Sequence, residues 1–98
     1  MKIEFKWKIF SELTTDELYE IIHLRQKVFI VEQAIDWEIE FDGLDPDCIL
    51  FTAYLDGKAV GAARLYNNKI GRVATLKEYR KKGALVIGPA SENLVRFG

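Results

Sequence analysis

The sequence predicts an α+β fold in which an N-terminal amphipathic helix packs on a central, mostly antiparallel β-sheet. Three observations carry this. Residues 3–9 alternate between apolar and charged side chains. An apolar stripe at helical spacing follows a threonine–glutamate start signal. Two tight-turn signals, Asp56-Gly57 and Asn67-Asn68, then divide an apolar stretch into three strand-sized pieces.

Ile3, Phe5, Trp7 and Ile9 alternate with Glu4, Lys6 and Lys8. Successive strand side chains point to opposite faces, so the four apolar groups are expected to cover a core while the charges meet water. Residues 11–15 read as a turn and helix start. Thr14 and Glu17 have the spacing of a capping box, in which each side chain accepts from the other's backbone N–H. Leu18, Ile21, Ile22, Val28 and Phe29 then form one apolar stripe. Arg25 lies inside it, four residues after Ile21. An unpaired buried charge is costly, so this arginine either snorkels to water or is held by carboxylates from elsewhere. Asp42 and Asp45 follow in a turn-like stretch. They favour the second option, with Arg25 buried against residues 36–47.

Residues 30–47 contain Gly43, Pro46 and several aspartates, and read as irregular. Ile35, Trp37, Ile39, Phe41 and Leu44 make this loop apolar enough to pack on the domain and line a pocket. After Cys48 the chain reads as a meander with strands over 49–55, 59–66 and 70–76. Asp56-Gly57 suits a two-residue hairpin because both positions tolerate positive φ. Gly61 and Gly71 interrupt strands and signal bulges or close backbone approach. Leu85, Val86 and Ile87 favour a further short strand, Pro89 blocks a helix there, and Ser91 is placed to cap a last helical start. No repeat or linker divides the chain, so residues 1–98 read as a single domain.

Composition narrows the function classes. The chain has 98 residues, 49% hydrophobic and 30% charged, which is globular rather than disordered. A formal net charge of -1 gives no general attraction for nucleic acid or anionic membrane. No uncharged run is long enough to span a bilayer, and the opening MKIEFKWKIF lacks the apolar core of a signal peptide. One cysteine, Cys48, excludes an internal disulfide and a cysteine-based zinc cluster, and the single His23 adds little to a metal site. A cytoplasmic protein without a metal is the expectation. Cys48 reads as a small buried hydrophobe, His23 as a surface residue.

The chemistry-bearing pattern lies beyond residue 70. A strand is followed by Lys77, Arg80, Lys81, Lys82 and Gly83. A turn that exposes successive backbone N–H groups cradles a phosphate, glycine admits the ligand to the main chain, and cations add attraction. A solvated lysine-rich loop explains the same residues by themselves.

With its other motifs, this region resembles the GNAT acetyltransferases, and among them the ElaA-like branch. The matching pieces are Leu24-Arg25, Val28-Phe29-Ile30-Val31-Glu32-Gln33, Asp42-Gly43-Leu44-Asp45, Gly61-Ala62-Ala63-Arg64-Leu65, Ile70-Gly71-Arg72-Val73-Ala74 and Arg80-Lys81-Lys82-Gly83, in that order. They cover about residues 5–83. The resemblance implies transfer of an acetyl group from acetyl-CoA to a primary amine, on a small molecule or a peptide. It places the pantetheine arm and thioester along Val73, Ala74 and Thr75, and the pyrophosphate at Arg80, Lys81, Lys82, Gly83 and Ala84. A backbone N–H near Ala74 or Thr75 would stabilise the oxyanion. The general base, often a glutamate acting through water in this family, would come from Glu32, Glu38 or Glu40, each of which also reads as a plain surface glutamate.

The chain departs from the family pattern after Gly83. Leu85 stands where a small residue is expected, Pro89 stops a long helix, and Phe97-Gly98 stands where the family often has Phe-Tyr. The implied protein is therefore a truncated or internally shortened member with an incomplete C-terminal part. Two other readings follow. One is a non-catalytic CoA-binding remnant or an interaction module, whose exposed sheet edges favour self-association as a homodimer. The other is an acyl-homoserine-lactone synthase, in which Arg25, Phe29, Trp37, Asp42, Asp45 and Arg64 would take parts.

Overall fold

The computed structural model describes residues 2–80. The expected features at Lys81, Lys82, Gly83 and Ala84, and everything after them, lie outside the described residues. The order of elements is β1 (Ile3–Ile9), a 3-10 turn (Phe10–Glu12), α1 (Thr15–Arg25), a π-helical segment (Gln26–Glu32), α2 (Trp37–Glu40), a 3-10 turn (Asp45–Asp47), β2 (Ile49–Leu55), β3 (Lys58–Tyr66), β4 (Lys69–Thr75) and a final 3-10 turn (Lys77–Tyr79). The four strands form one sheet in the order β1-β2-β3-β4, every pair antiparallel. The α+β expectation holds, and the strand ends agree with the sequence pattern to within one residue.

Local chemistry explains the elements. Thr14 Oγ1 accepts from the Glu17 N–H at 3.1 Å, and Glu17 Oε1 accepts from the Thr14 N–H at 2.8 Å, which closes the capping box. Asp56 and Gly57 have φ of 49° and 84°, and Asn67 and Asn68 have 50° and 62°. Both hairpins thus turn through two left-handed residues, whose twist matches that of the flanking strands. A register shift opposite Ala53 and Tyr54 adds a residue to β3 beside Gly61, and a second shift lies between β3 and β4 beside Gly71. The two strand glycines therefore flag the two bulges.

The core lies between the sheet and the helical segments. Leu24, Val28 and Phe29 join Ala53, Leu55, Val60, Ala62, Ala74 and Leu76 in one cluster, and Ile21 packs with Cys48 and Leu50 in another. The helical stripe differs by one residue from the expectation: Leu24 is buried, whereas Ile22 is 39% exposed. On β1 the expectation holds for Ile3, which is half-buried against the main core, and is reversed for the other three apolar residues. Its alternation is real, but Phe5, Trp7 and Ile9 stand out in solvent, with Trp7 64% exposed. The cause is the placement of α1. Lys8 lies opposite Leu50, on which Ile21 of α1 packs, and Lys8 Nζ binds Glu17 of the same helix at 2.8 Å. The charged face of β1 therefore meets the helix layer at Lys8, while Glu4 and Lys6 stay exposed. Its apolar face continues through the cross-strand partners Ile49 and Phe51 on the other side of the sheet.

The 30–47 stretch carries more helix than expected, with α2 and a 3-10 turn inside it. Trp37 and Ile39 are exposed rather than lining a pocket, while Ile35 packs on the main core. No helix among the described residues is long and apolar enough to cross a membrane.

Candidate active site

The most charged part of the interior joins α1, α2, β3 and β4. Arg25, at the end of α1, is 3% exposed. Its Nε donates to Glu40 Oε2 at 2.5 Å, its Nη2 to the Glu40 carbonyl at 3.1 Å, and its Nη1 to Asp45 Oδ1 at 2.7 Å. Its guanidinium also lies over the Phe41 ring, 5.1 Å from the centroid. The expected burial of Arg25 against residues 36–47 is thus met. Arg64, on β3, donates to Asp42 Oδ2 at 2.7 Å and to Asp45 Oδ1 at 3.1 Å. Arg72, on β4, lies 2.8 Å from Glu40 Oε1 and 3.0 Å from Asp42 Oδ2. Three guanidiniums therefore meet three carboxylates. Among the described residues no buried side-chain polar atom lacks a partner. Burying charge requires such complete pairing.

This pairing has electrostatic consequences. Hydrogen bonds from Arg64 hold the Asp42 carboxyl well below the usual carboxylate range, and those from Asp42 raise Arg64 further above its ordinary value. Both side-chain oxygens of Glu40 are engaged and the residue is 1% exposed. A general base needs a free lone pair facing the substrate. Glu40, expected as one of three candidate bases, stands buried as a shared ion-pair partner of Arg25 and Arg72.

Glu32 and Glu38 stand at the surface. Glu32 accepts both Arg80 Nη atoms at 2.7 Å, and this pairing lowers its pKa. Arg80 also donates from Nε to the Thr75 carbonyl at 2.9 Å. The arginine expected at a pyrophosphate is here folded back between the end of β4 and the π-helical segment. Val73 completes the bulge on β4 and Ala74 and Thr75 follow it; among the described residues β4 is an edge of the sheet. The Leu76 N–H turns inward to the Val60 carbonyl at 2.9 Å, while the Thr75 carbonyl turns outward to Arg80. In a strand a residue's N–H and C=O leave toward the same edge, so the Thr75 N–H also points outward. That edge is suited to main-chain pairing with an extended amide-bearing arm. Beside it, Val28, Val31, Glu32, Leu76, Lys77 and Glu78 line an open groove of about 370 Å3.

Comparison with known proteins agrees with this geometry. No protein-family model matches the chain. An acyl-CoA N-acyltransferase from Pseudomonas aeruginosa superposes with a TM-score of 0.78 at 29% identity, covering 97% of this chain and 69% of that one. The fold is that of the GNAT acyltransferases. Escherichia coli ElaA superposes on this acyltransferase fold with a TM-score of 0.75 at 26% identity, over 97% of this chain and 71% of its own. In sequence, a UPF0039 protein of Schizosaccharomyces pombe is 39% identical over 87 residues, which are 83% of this chain and 57% of that protein. A UPF0039 protein of Synechocystis is 36% identical over 92 residues, 86% of this chain and 59% of its own. The chain thus spans less than two thirds of the length of these curated relatives.

Sequence reasoning reached Arg25 through its place in an apolar stripe. In the sequence, Arg64 has a part only in the lactone-synthase reading, and Arg72 has none beyond its place in a matching motif. The structure brings Arg25, Asp42, Asp45 and Arg64 together, but leaves Trp37, 61% exposed, outside the cluster. The available signal for Arg72 was an arginine just after a strand glycine, with four carboxylates within residues 38–45 left to pair.

Proposed function

We propose that this chain carries out acyl transfer from acetyl-CoA to a primary amine of a small molecule or peptide. The observation that carries the reading is the bulged strand β4, an edge among the described residues, with the Thr75 backbone facing outward, in a fold matched by an acyl-CoA N-acyltransferase. The outward backbone of Thr75, in the stretch Val73, Ala74 and Thr75, pairs with the pantetheine amides. The outward Thr75 N–H stabilises the charge that develops on the thioester oxygen. The amine lone pair attacks the carbonyl carbon, a C–N bond forms and the C–S bond breaks. The amine proton leaves to a carboxylate drawn from Glu32 or Glu38, directly or through water, and the sulfur departs as thiolate to be protonated by solvent.

In this reading Arg80, with Lys81, Lys82, Gly83 and Ala84, takes the pyrophosphate. Arg80 then exchanges the Glu32 carboxylate for a phosphate, since a guanidinium fork suits either partner. That exchange also frees Glu32. The buried lone thiol of Cys48, its pKa raised by burial, suits a cytoplasmic setting.

The test combines calorimetric titration of acetyl-CoA with mass spectrometry of an amine panel incubated with the purified chain. Binding with acetylated amine and free CoA is the expected result. Binding without transfer supports the non-catalytic remnant instead, and no binding at all overturns the proposal.

The bare apolar face of β1 favours a second reading, self-association through Phe5, Trp7 and Ile9. Sedimentation of the wild type against Trp7→Ser decides it, a dimer lost in the variant being the supporting result and an unchanged monomer the opposing one.

A further inference from the structure

We propose that Arg72 is a positioning residue: its guanidinium, clamped by residues 39–42, holds the left-handed bulge of β4 and so sets how Val73, Ala74 and Thr75 present their backbone. The link from that presentation to acyl transfer rests on the function proposed above.

The bulge places Arg72 and Val73 of β4 opposite the single residue Ala63 of β3, since Ala62 faces Ala74 and Arg64 faces Gly71. Arg72 has φ of 50°. Glycine is the unstrained occupant of a left-handed bulge position, because it has no Cβ to meet the backbone. A glycine is next door, yet Gly71 is not among the residues with positive φ, and a Cβ added there would meet nothing within 4 Å. The chain thus carries its glycine where neither φ nor space demands one, and an arginine where glycine would be relaxed. Strain kept at such a position marks the side chain as the feature being retained.

That side chain reaches four acceptors on one segment. Nε donates to the Glu40 carbonyl at 3.2 Å and lies 2.8 Å from Glu40 Oε1. Nη2 donates to the Ile39 carbonyl at 2.8 Å and to Asp42 Oδ2 at 3.0 Å. The acceptors are themselves fixed, Glu40 by Arg25 and Asp42 by Arg64. Such a clamp needs the planar fork of an arginine, and a lysine ammonium cannot span it. A bulge bends its strand and re-aims the residues that follow. Val73, within the bulge, and the next two residues, Ala74 and Thr75, form the stretch read as the acyl-CoA surface. A displacement there of about 1 Å is enough to cost roughly 100-fold in rate.

The experiment compares Arg72→Gly, Arg72→Ala and Arg72→Lys in the full chain. Arg72→Gly relieves the backbone strain and is the variant chosen to keep the fold. Amide resonances of Ala74 and Thr75, beyond nearest-neighbour influence, report the strand directly. They are expected to move in the glycine and alanine variants and to stay displaced in the lysine variant. For acetyl transfer, kcat should fall about 10- to 100-fold while the acetyl-CoA KM changes less than about threefold, because alignment to the oxyanion matters chiefly in the transition state. Guanidinium ion added at non-denaturing concentration should restore part of the kcat of Arg72→Gly.

A merely structural arginine would give variants of lower stability whose folded molecules keep the wild-type Ala74 and Thr75 resonances and kcat, and that result overturns the proposal. If the wild type transfers no acetyl group, the acyl-transfer reading fails separately. The resonances of Ala74 and Thr75 then decide the clamp by the same criterion.

Discussion

The apolar face of β1 and the charged cluster beneath α2 exchange the usual places of their residue types. Trp7 and Phe5 are 64% and 56% exposed, whereas Glu40 and Arg25 are 1% and 3% exposed. Both regions obey the same rule, that a side chain is buried where another layer covers it. The helix layer covers the face of the sheet that bears Leu50, Ala62 and Arg64, and the charges there survive because each meets a partner. The other face, with Ile49 and Phe51 beside Trp7, meets no such layer among the described residues. Residue type sets the cost of burial, and topology decides which residues incur it.

The comparison breaks most sharply at Glu40. Glu40→Ala leaves Arg25 and Arg72 without their shared carboxylate, and removal of one member of a buried pair costs roughly 3–5 kcal/mol. Urea unfolding should show that loss, whereas a change below about 1 kcal/mol would place the cluster among ordinary surface ion pairs.

A smaller effect follows from acid. Arg64 holds the Asp42 carboxyl well below its unfolded value, which is near 3.9. The native state then binds fewer protons than the unfolded one, so the contribution is complete above about pH 4 and is lost as pH falls further. Asp42→Asn should flatten the fall in stability between about pH 4 and pH 2, removing about 1–2 kcal/mol of pH-dependent change. An unchanged acid slope would show that the Arg64 bond does not act on folding.

The smallest effect lies on the opposite face. Trp7→Ser should alter monomer stability by less than about 0.5 kcal/mol, as exposed substitutions do. A loss of 2 kcal/mol or more, measured by the same urea unfolding, would mean that this face is covered in solution.

The sequence disclosed the elements better than their relations. The β1 alternation, the Thr14–Glu17 cap and the two hairpins are local patterns, and each is present. The side on which β1 is covered depends on how α1 crosses the sheet, a long-range fact that period-two alternation does not encode. Arg25 was legible because a charge in a helical stripe demands partners. Arg72 was not, because its role depends on a bulge register and a left-handed φ set jointly by β3 and residues 39–42. Glu40 read as a surface glutamate or a base because nothing local shows that two arginines converge on it.

The central claim is that the charged cluster supports β4 as an acyl-CoA-binding edge. Amide hydrogen exchange of the full chain with and without acetyl-CoA tests it most directly. Slowed exchange is expected at the outward Thr75 amide, with the amides of β1 unchanged. Exchange slowed along β1, or unchanged on β4 at saturating acetyl-CoA, would contradict it.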